Sequence, residues 1–173
     1  MTSPLFILVE GVDDETFFRE IVKPKLTPRH NYVKLVQYAG WPSKKVGDML
    51  ASINAMNGQC MFICDMDRCK CVTQKKSIVG QKYATVRTES TYVVVREIES
   101  WYLAGVDDAT AKRLGCSIPA TTDGMDKEQF NQLIPPRFNS RIDYMLEMLK
   151  HFSVDCAKQK NRSFRYFASK NGI

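Results

Sequence analysis

Residues 60–67 read CMFICDMD, an apolar run of strand length that ends in two aspartates, Asp65 and Asp67. Residues i and i+2 of an extended segment project to the same face. The run therefore predicts a strand that delivers both carboxylates to one spot just past its carboxyl end. Two carboxylates on hydrophobic backing call for a cation, and magnesium or manganese is the expected occupant, as one or two ions. Hard divalent ions prefer oxygen ligands, and magnesium commonly takes one or two protein carboxylates together with waters and phosphate oxygens. The plainer alternative has Asp65 opening a turn or capping a helix while Asp67 is solvated.

Three further apolar runs accompany this one. Residues 5–9 (LFILV) end in Glu10-Gly11, residues 32–38 end before Ala39-Gly40, and the β-branched run 91–95 leads into Arg96-Glu97-Ile98-Glu99. Continuous rather than alternating apolar runs fit strands buried on both faces. Helix-length segments separate them. In residues 12–26, Asp13 or Asp14 can cap a helix with Phe17, Phe18, Ile21 and Val22 on one stripe, and Pro24 ends it. Ser43 is a candidate cap for a second helix carrying Val46, Met49, Leu50, Ile53 and Met56. The polar segment 68–81 has weak periodicity and reads as loop, with room for a short helix. This alternation predicts an α/β fold, a central parallel sheet of about four strands with helices on both faces. Ligands of such sheets bind beyond the carboxyl ends of the strands, where Glu10, Asp65, Asp67, Glu97 and Glu99 all fall.

After Gly105 the pattern becomes helical in short pieces: 107–114, 127–133, and a longer helix from Asn139 or Ser140 to His151 with Ile142, Met145, Leu146 and Leu149 facing inward. Residues 1–105 are thus expected to form the α/β core. Residues 106–173 are expected to form a helical C-terminal extension packed on the same domain.

Across 173 residues with 44% hydrophobic content, the chain can bury a substantial core, and its formal charge of +6 points to an anionic partner. Charge alone does not choose among nucleic acid, nucleotide and anionic membrane. Its distribution is more informative, because residues 68–88 and residues from Lys158 onward are basic and acid-free. Arg68, Lys70, Lys158, Arg162 and Arg165 are the expected phosphate contacts. Gly40 and Lys44 or Lys45 stand beyond the second strand at a helix start, where free amides and the helix dipole favour phosphate; an ordinary capped surface helix is the equal alternative. The six cysteines, the absence of a signal-peptide pattern at MTSPLFILVEG and the lack of a membrane-length apolar run together predict a reduced, cytoplasmic protein. Cys69-x-Cys71 lacks the paired spacings of a structural zinc site.

LVEGVDDETFF and FICDMD together resemble the Toprim domain, the acidic fold shared by topoisomerases, bacterial primases and the OLD family of nucleases. REIESWYL is similar to the acidic stretch after the next strand in small OLD-like members, and the resemblance covers residues 5 to about 103. It implies that Glu10 is the catalytic acid or base or a metal ligand, that Asp65 and Asp67 bind magnesium, and that Glu97 or Glu99 helps hold a second ion. It further implies a metal-dependent nuclease acting on DNA or RNA, in a defence or toxin module. A non-catalytic nucleic-acid-binding or regulatory module, working with a separately encoded ATPase, is the alternative. The chain departs from the larger family members: no motif positions a tyrosine nucleophile, and no primase zinc module or accompanying ATPase domain is present. Nor is there a glycine-rich phosphate loop of the nucleotide-hydrolase type.

Overall fold

A computed structural model describes residues 3–173. Its centre is a four-stranded, all-parallel sheet in the order β2-β1-β3-β4, formed by β1 (Leu5–Val9), β2 (Val33–Gln37), β3 (Gln59–Asp65) and β4 (Thr91–Val94). Register runs Leu5 against Val33 on one side of β1 and Leu5 against Gln59 on the other. Parallel neighbours need crossover connections, and the helix-length segments between strands provide them.

All five residues of β1 are buried, as a strand flanked on both edges and covered on both faces requires. Phe6 and Leu8 join Val36, Tyr38, Phe62, Cys64 and Val93 in one apolar cluster with Val46, Leu50 and Ile53 of α3 (Ser43–Ala55) and with Val79 and Tyr83. Leu5, Ile7 and Val9 alternate to the opposite face and are equally buried.

Several helix boundaries differ from expectation for identifiable reasons. α1 (Val12–Phe17) is capped by Gly11; Asp14 sits at the third helical position, where its Oδ2 accepts a hydrogen bond from the Gly11 N–H at 3.1 Å. Pro24 does not end the helical path. A π-helical turn over Phe18–Val22 precedes it, and Pro24 then lies in the first turn of α2 (Lys23–Leu26), where a missing N–H is tolerated. Ser43 is the first residue of α3, behind Pro42, and makes no capping bond. The segment after Asp67, read as loop with room for a short helix, contains an eleven-residue helix, α4 (Val72–Lys82).

The chain divides into two compact units at Val93/Val94. The second unit is helical: α5 (Glu99–Ala104), α6 (Asp108–Leu114), α7 (Lys127–Gln132), α8 (Arg141–Lys150), α9 (Val154–Lys160) and α10 (Arg162–Asn171). Its core is aromatic. Trp101 packs edge-on to Phe164 at 5.2 Å and tilted on Phe167 at 5.3 Å, and its indole N–H donates to Ser163 Oγ at 2.8 Å. Asn161, fully buried, caps α10 through the Phe164 N–H at 2.9 Å and donates to Thr122 Oγ1 at 3.1 Å. Ser140 caps α8 as expected. The inward stripe of that helix is rotated, however: Tyr144, Met145, Met148 and Leu149 are buried, while Ile142 and Leu146 are 58% and 42% exposed. Tyr144 prevails because its ring packs between Phe130 and Phe138, at 5.5 and 5.0 Å. No helix among the described residues is long and apolar enough to cross a membrane.

Candidate active site at the sheet's switch point

The chain leaves β1 toward β2 on one side and later returns to lay β3 on the other. Between β1 and β3, connections depart in opposite directions, and the carboxyl edge at such a switch point is the usual ligand position in open α/β folds. Glu10 follows β1 and Asp65 closes β3, so the topology brings these two acids to adjacent strand ends.

Glu10 is tied into this edge from three sides. Its Oε1 accepts the Tyr38 hydroxyl at 3.1 Å, the backbone N–H of Asp65 donates to its carboxylate, and the Lys75 ammonium acts on it electrostatically. Burial pushes the Glu10 carboxyl above its usual range; Lys75 and the Tyr38 hydrogen bond pull it down, and the charge on Asp67 adds to the rise. A carboxyl raised above its ordinary range at a strand's carboxyl end is suited to exchanging protons. Tyr38 Oη also lies 3.0 Å from the Ile63 carbonyl oxygen. Its single proton can serve one acceptor at a time. Burial, then the Glu10 charge, raise the phenol far above its ordinary range, so it remains a donor and not a phenolate.

Asp67 reaches the cluster by a route the sequence did not suggest. It is not extended: its φ is +49°, in the left-handed region that aspartate tolerates better than most residues. The alternating-face geometry expected of Asp65 and Asp67 therefore does not hold. The Asp67 side chain is instead 62% exposed and paired through Oδ2 with the ammonium of Lys75 on α4. Lys75 is 8% exposed. Burial opposes its charge, but the Asp67 hydrogen bond and the neighbouring Cys64, Asp67 and Glu10 outweigh it and raise the ammonium above its ordinary range. Cys64, which closes the apolar wall, has its thiol pushed up to about 12 by burial and is unreactive.

Neither Lys75 nor Tyr38 was singled out from the sequence. Lys75 was one member of a basic segment, and Tyr38 was the apolar end of a strand. The signal that could have found Lys75 is its four-residue spacing to Val79, the only other inward position of α4.

The remaining candidates are distributed as follows. Glu97 and Glu99 belong to the second unit and have partners there. Glu97 Oε2 accepts the Lys127 N–H at 2.6 Å, and the buried Glu99 pairs with Arg141 Nη1 at 2.6 Å. Lys44 and Lys45 are exposed at the start of α3, Lys45 with its ammonium 3.8 Å above the Trp41 ring. Arg68 and Lys70 are exposed in the turn after Asp67. Arg165 is exposed and Lys158 half-buried, whereas Arg162 is engaged with Asp123 through its Nε at 2.6 Å.

Oxygen donors at this edge fit a hard divalent ion in kind. Among the described residues, no three His, Cys, Asp or Glu side chains stand close enough to form a finished metal site, and Lys75 already neutralises Asp67. Compared with protein-family models, curated proteins and solved structures, the chain matches none.

Proposed function

We propose that this edge is the active site of a Toprim-like, metal-dependent nuclease that hydrolyses phosphodiester bonds in DNA or RNA. The observation that carries the reading is Glu10 held at the β1/β3 switch point with its carboxyl raised by burial and linked to Asp65 and Tyr38. In this mechanism Glu10 accepts the proton of an attacking water, and Tyr38 orients the Glu10 carboxylate. Asp65 and Asp67 would hold magnesium or manganese, which when bound supplies positive charge for the phosphate oxygens. Arg68 and Lys70, exposed beside the site, would draw the substrate backbone toward it, and Lys44, Lys45 and, in the second unit, Lys158, Arg162 and Arg165 would add further phosphate contacts. Six free cysteines suit a reducing compartment such as the cytoplasm.

The test is cleavage of single-stranded DNA, duplex DNA and RNA with magnesium, manganese or chelator, using the native chain and Glu10→Gln. Divalent-dependent cleavage that Glu10→Gln lowers at least a hundredfold is expected, in the range attributed to general bases. Failure to cut all three substrates, or undiminished cutting by Glu10→Gln, would refute it. One observation favours a second reading: Asp67 already has a protein cation. In that reading the domain binds nucleic acid without cutting it, beside a separately encoded ATPase, and the same assay would return binding without cleavage.

A further inference from the structure

α4 buries two side chains, Lys75 and Val79, one turn apart. Val79 joins the apolar cluster that includes Phe62 and Cys64. Lys75 carries its ammonium to Asp67 Oδ2, and the other ionisable groups acting on it are the Glu10 carboxyl and the neutral Cys64 thiol. A lysine on the inward face of a helix costs desolvation and is retained only where its charge is met. Here it is met by the carboxylate assigned above to a divalent ion. Two cations would then share one aspartate.

We propose that Lys75 is a tethered counter-ion that occupies the divalent ion's place on Asp67 and is displaced when the ion enters. Ion loading and the Lys75–Asp67 pair are then mutually exclusive. This rests on the reading of Asp65 and Asp67 as ion-holding acids. Charge counting supports exclusion. Asp67 supplies a single negative charge, and an ion added without displacement would set three positive charges, two of its own and one of Lys75, on that one carboxylate. Geometry supports displacement as well. Asp67 is largely open to solvent, so an ion can approach it from outside. The lysine's flexible four-carbon stem can stay packed while its ammonium swings away, which a rigid guanidinium does less readily.

The experiment measures Mn²⁺ affinity of the chelator-stripped full chain, by electron paramagnetic resonance or calorimetry, for the native protein, Lys75→Met, Lys75→Arg and Lys75→Met/Asp67→Asn. Removing the competing cation should tighten Mn²⁺ binding at least tenfold in Lys75→Met, leave Lys75→Arg near the native value, and be undone by Asp67→Asn. In chelator, Lys75→Met should melt below the native protein, with the gap closing at saturating Mn²⁺. If Lys75→Met is unfolded in chelator, Mn²⁺ should restore its melting transition. Equal or weaker binding by Lys75→Met overturns the inference while leaving the ion site standing. So does tight binding that survives Asp67→Asn, or a Lys75→Met chain that no Mn²⁺ concentration folds. If neither the native protein nor Lys75→Met binds Mn²⁺, this inference and the metal-dependent reading fall together.

Discussion

Tyr38→Phe deletes one oxygen and nothing else, and the size of its effect should depend on pH. The ring would keep its packing against Phe62, at 4.5 Å, and Tyr83, at 6.3 Å. What goes is a donor within reach of two acceptors, Glu10 Oε1 at 3.1 Å and the Ile63 carbonyl at 3.0 Å. Above the titration of Glu10 the proton serves a charged acceptor, and such bonds contribute about 1.5–3 kcal/mol against about 0.5–1.5 kcal/mol for neutral pairs. Below it, Glu10 is neutral and the hydroxyl serves a neutral acceptor. Tyr38→Phe should therefore lose about 1 kcal/mol more stability at alkaline than at acid pH, by the difference between those two classes. For a chain of this length that is a further fall in Tm of about 2–4 °C. Urea or thermal unfolding of both proteins at about pH 4 and pH 8, which bracket a Glu10 carboxyl raised above the ordinary glutamate value, measures it. The extra loss should vanish when Glu10→Gln is the background, because no charged acceptor is then left. Equal losses at both pH values, or an extra loss that persists with Glu10→Gln, would refute the assignment of the Tyr38 proton to Glu10.

Glu10→Gln should itself stabilise the fold at neutral pH: the folded pKa of Glu10 is raised, so its stabilisation is complete below the unfolded value and is lost as pH rises through the folded one. Equilibrium unfolding across that window should show the native protein losing stability with rising pH and the variant losing less. Changing Lys158, Arg162 and Arg165 together to alanine should flatten the log–log salt dependence of duplex DNA binding by about 0.9 for each phosphate contact removed; binding titrations over a range of salt would count them, and an unaltered slope would show that these cations make no phosphate contact. Gly105→Ala would place its Cβ 2.1 Å from Phe152 Cδ2 and 2.2 Å from Cε2. The ring, edge-on to Phe164 at 5.7 Å, must move, at about 1–3 kcal/mol, the range for overpacking; a melt unchanged from native would contradict that contact.

The four strands were legible because burial on both faces leaves an uninterrupted apolar run, and all four occur within two residues of their expected bounds. Glu10 and Asp65 were legible for a related reason: parallel strands all end at the same edge. α4 was legible only as a short helix within a loop, since its inward face is a lysine and a valine while Ile78 and Val72 lie outside, so no apolar period exists to fix its extent. Lys75 is stabilised there by an aspartate eight residues earlier, brought close by a left-handed residue that strand periodicity does not encode. Glu97 and Glu99 illustrate the same limit. An acid after a strand looks alike in sequence whether it awaits an ion or meets Lys127 and Arg141, 30 and 42 residues further along.

The left-handed backbone at Asp67 narrows what substitution can do at that position. A φ of +49° is readily adopted by glycine, asparagine and aspartate and resisted by most other side chains. Of those three, aspartate alone carries a charge. Conformation and chemistry thus filter the residue independently, and few amino acids pass both. Glutamate, the usual conservative exchange, keeps the charge but forces a longer side chain onto a backbone that disfavours it. Asparagine keeps the backbone and removes the charge, which makes Asp67→Asn the change whose consequences can be read as electrostatics alone.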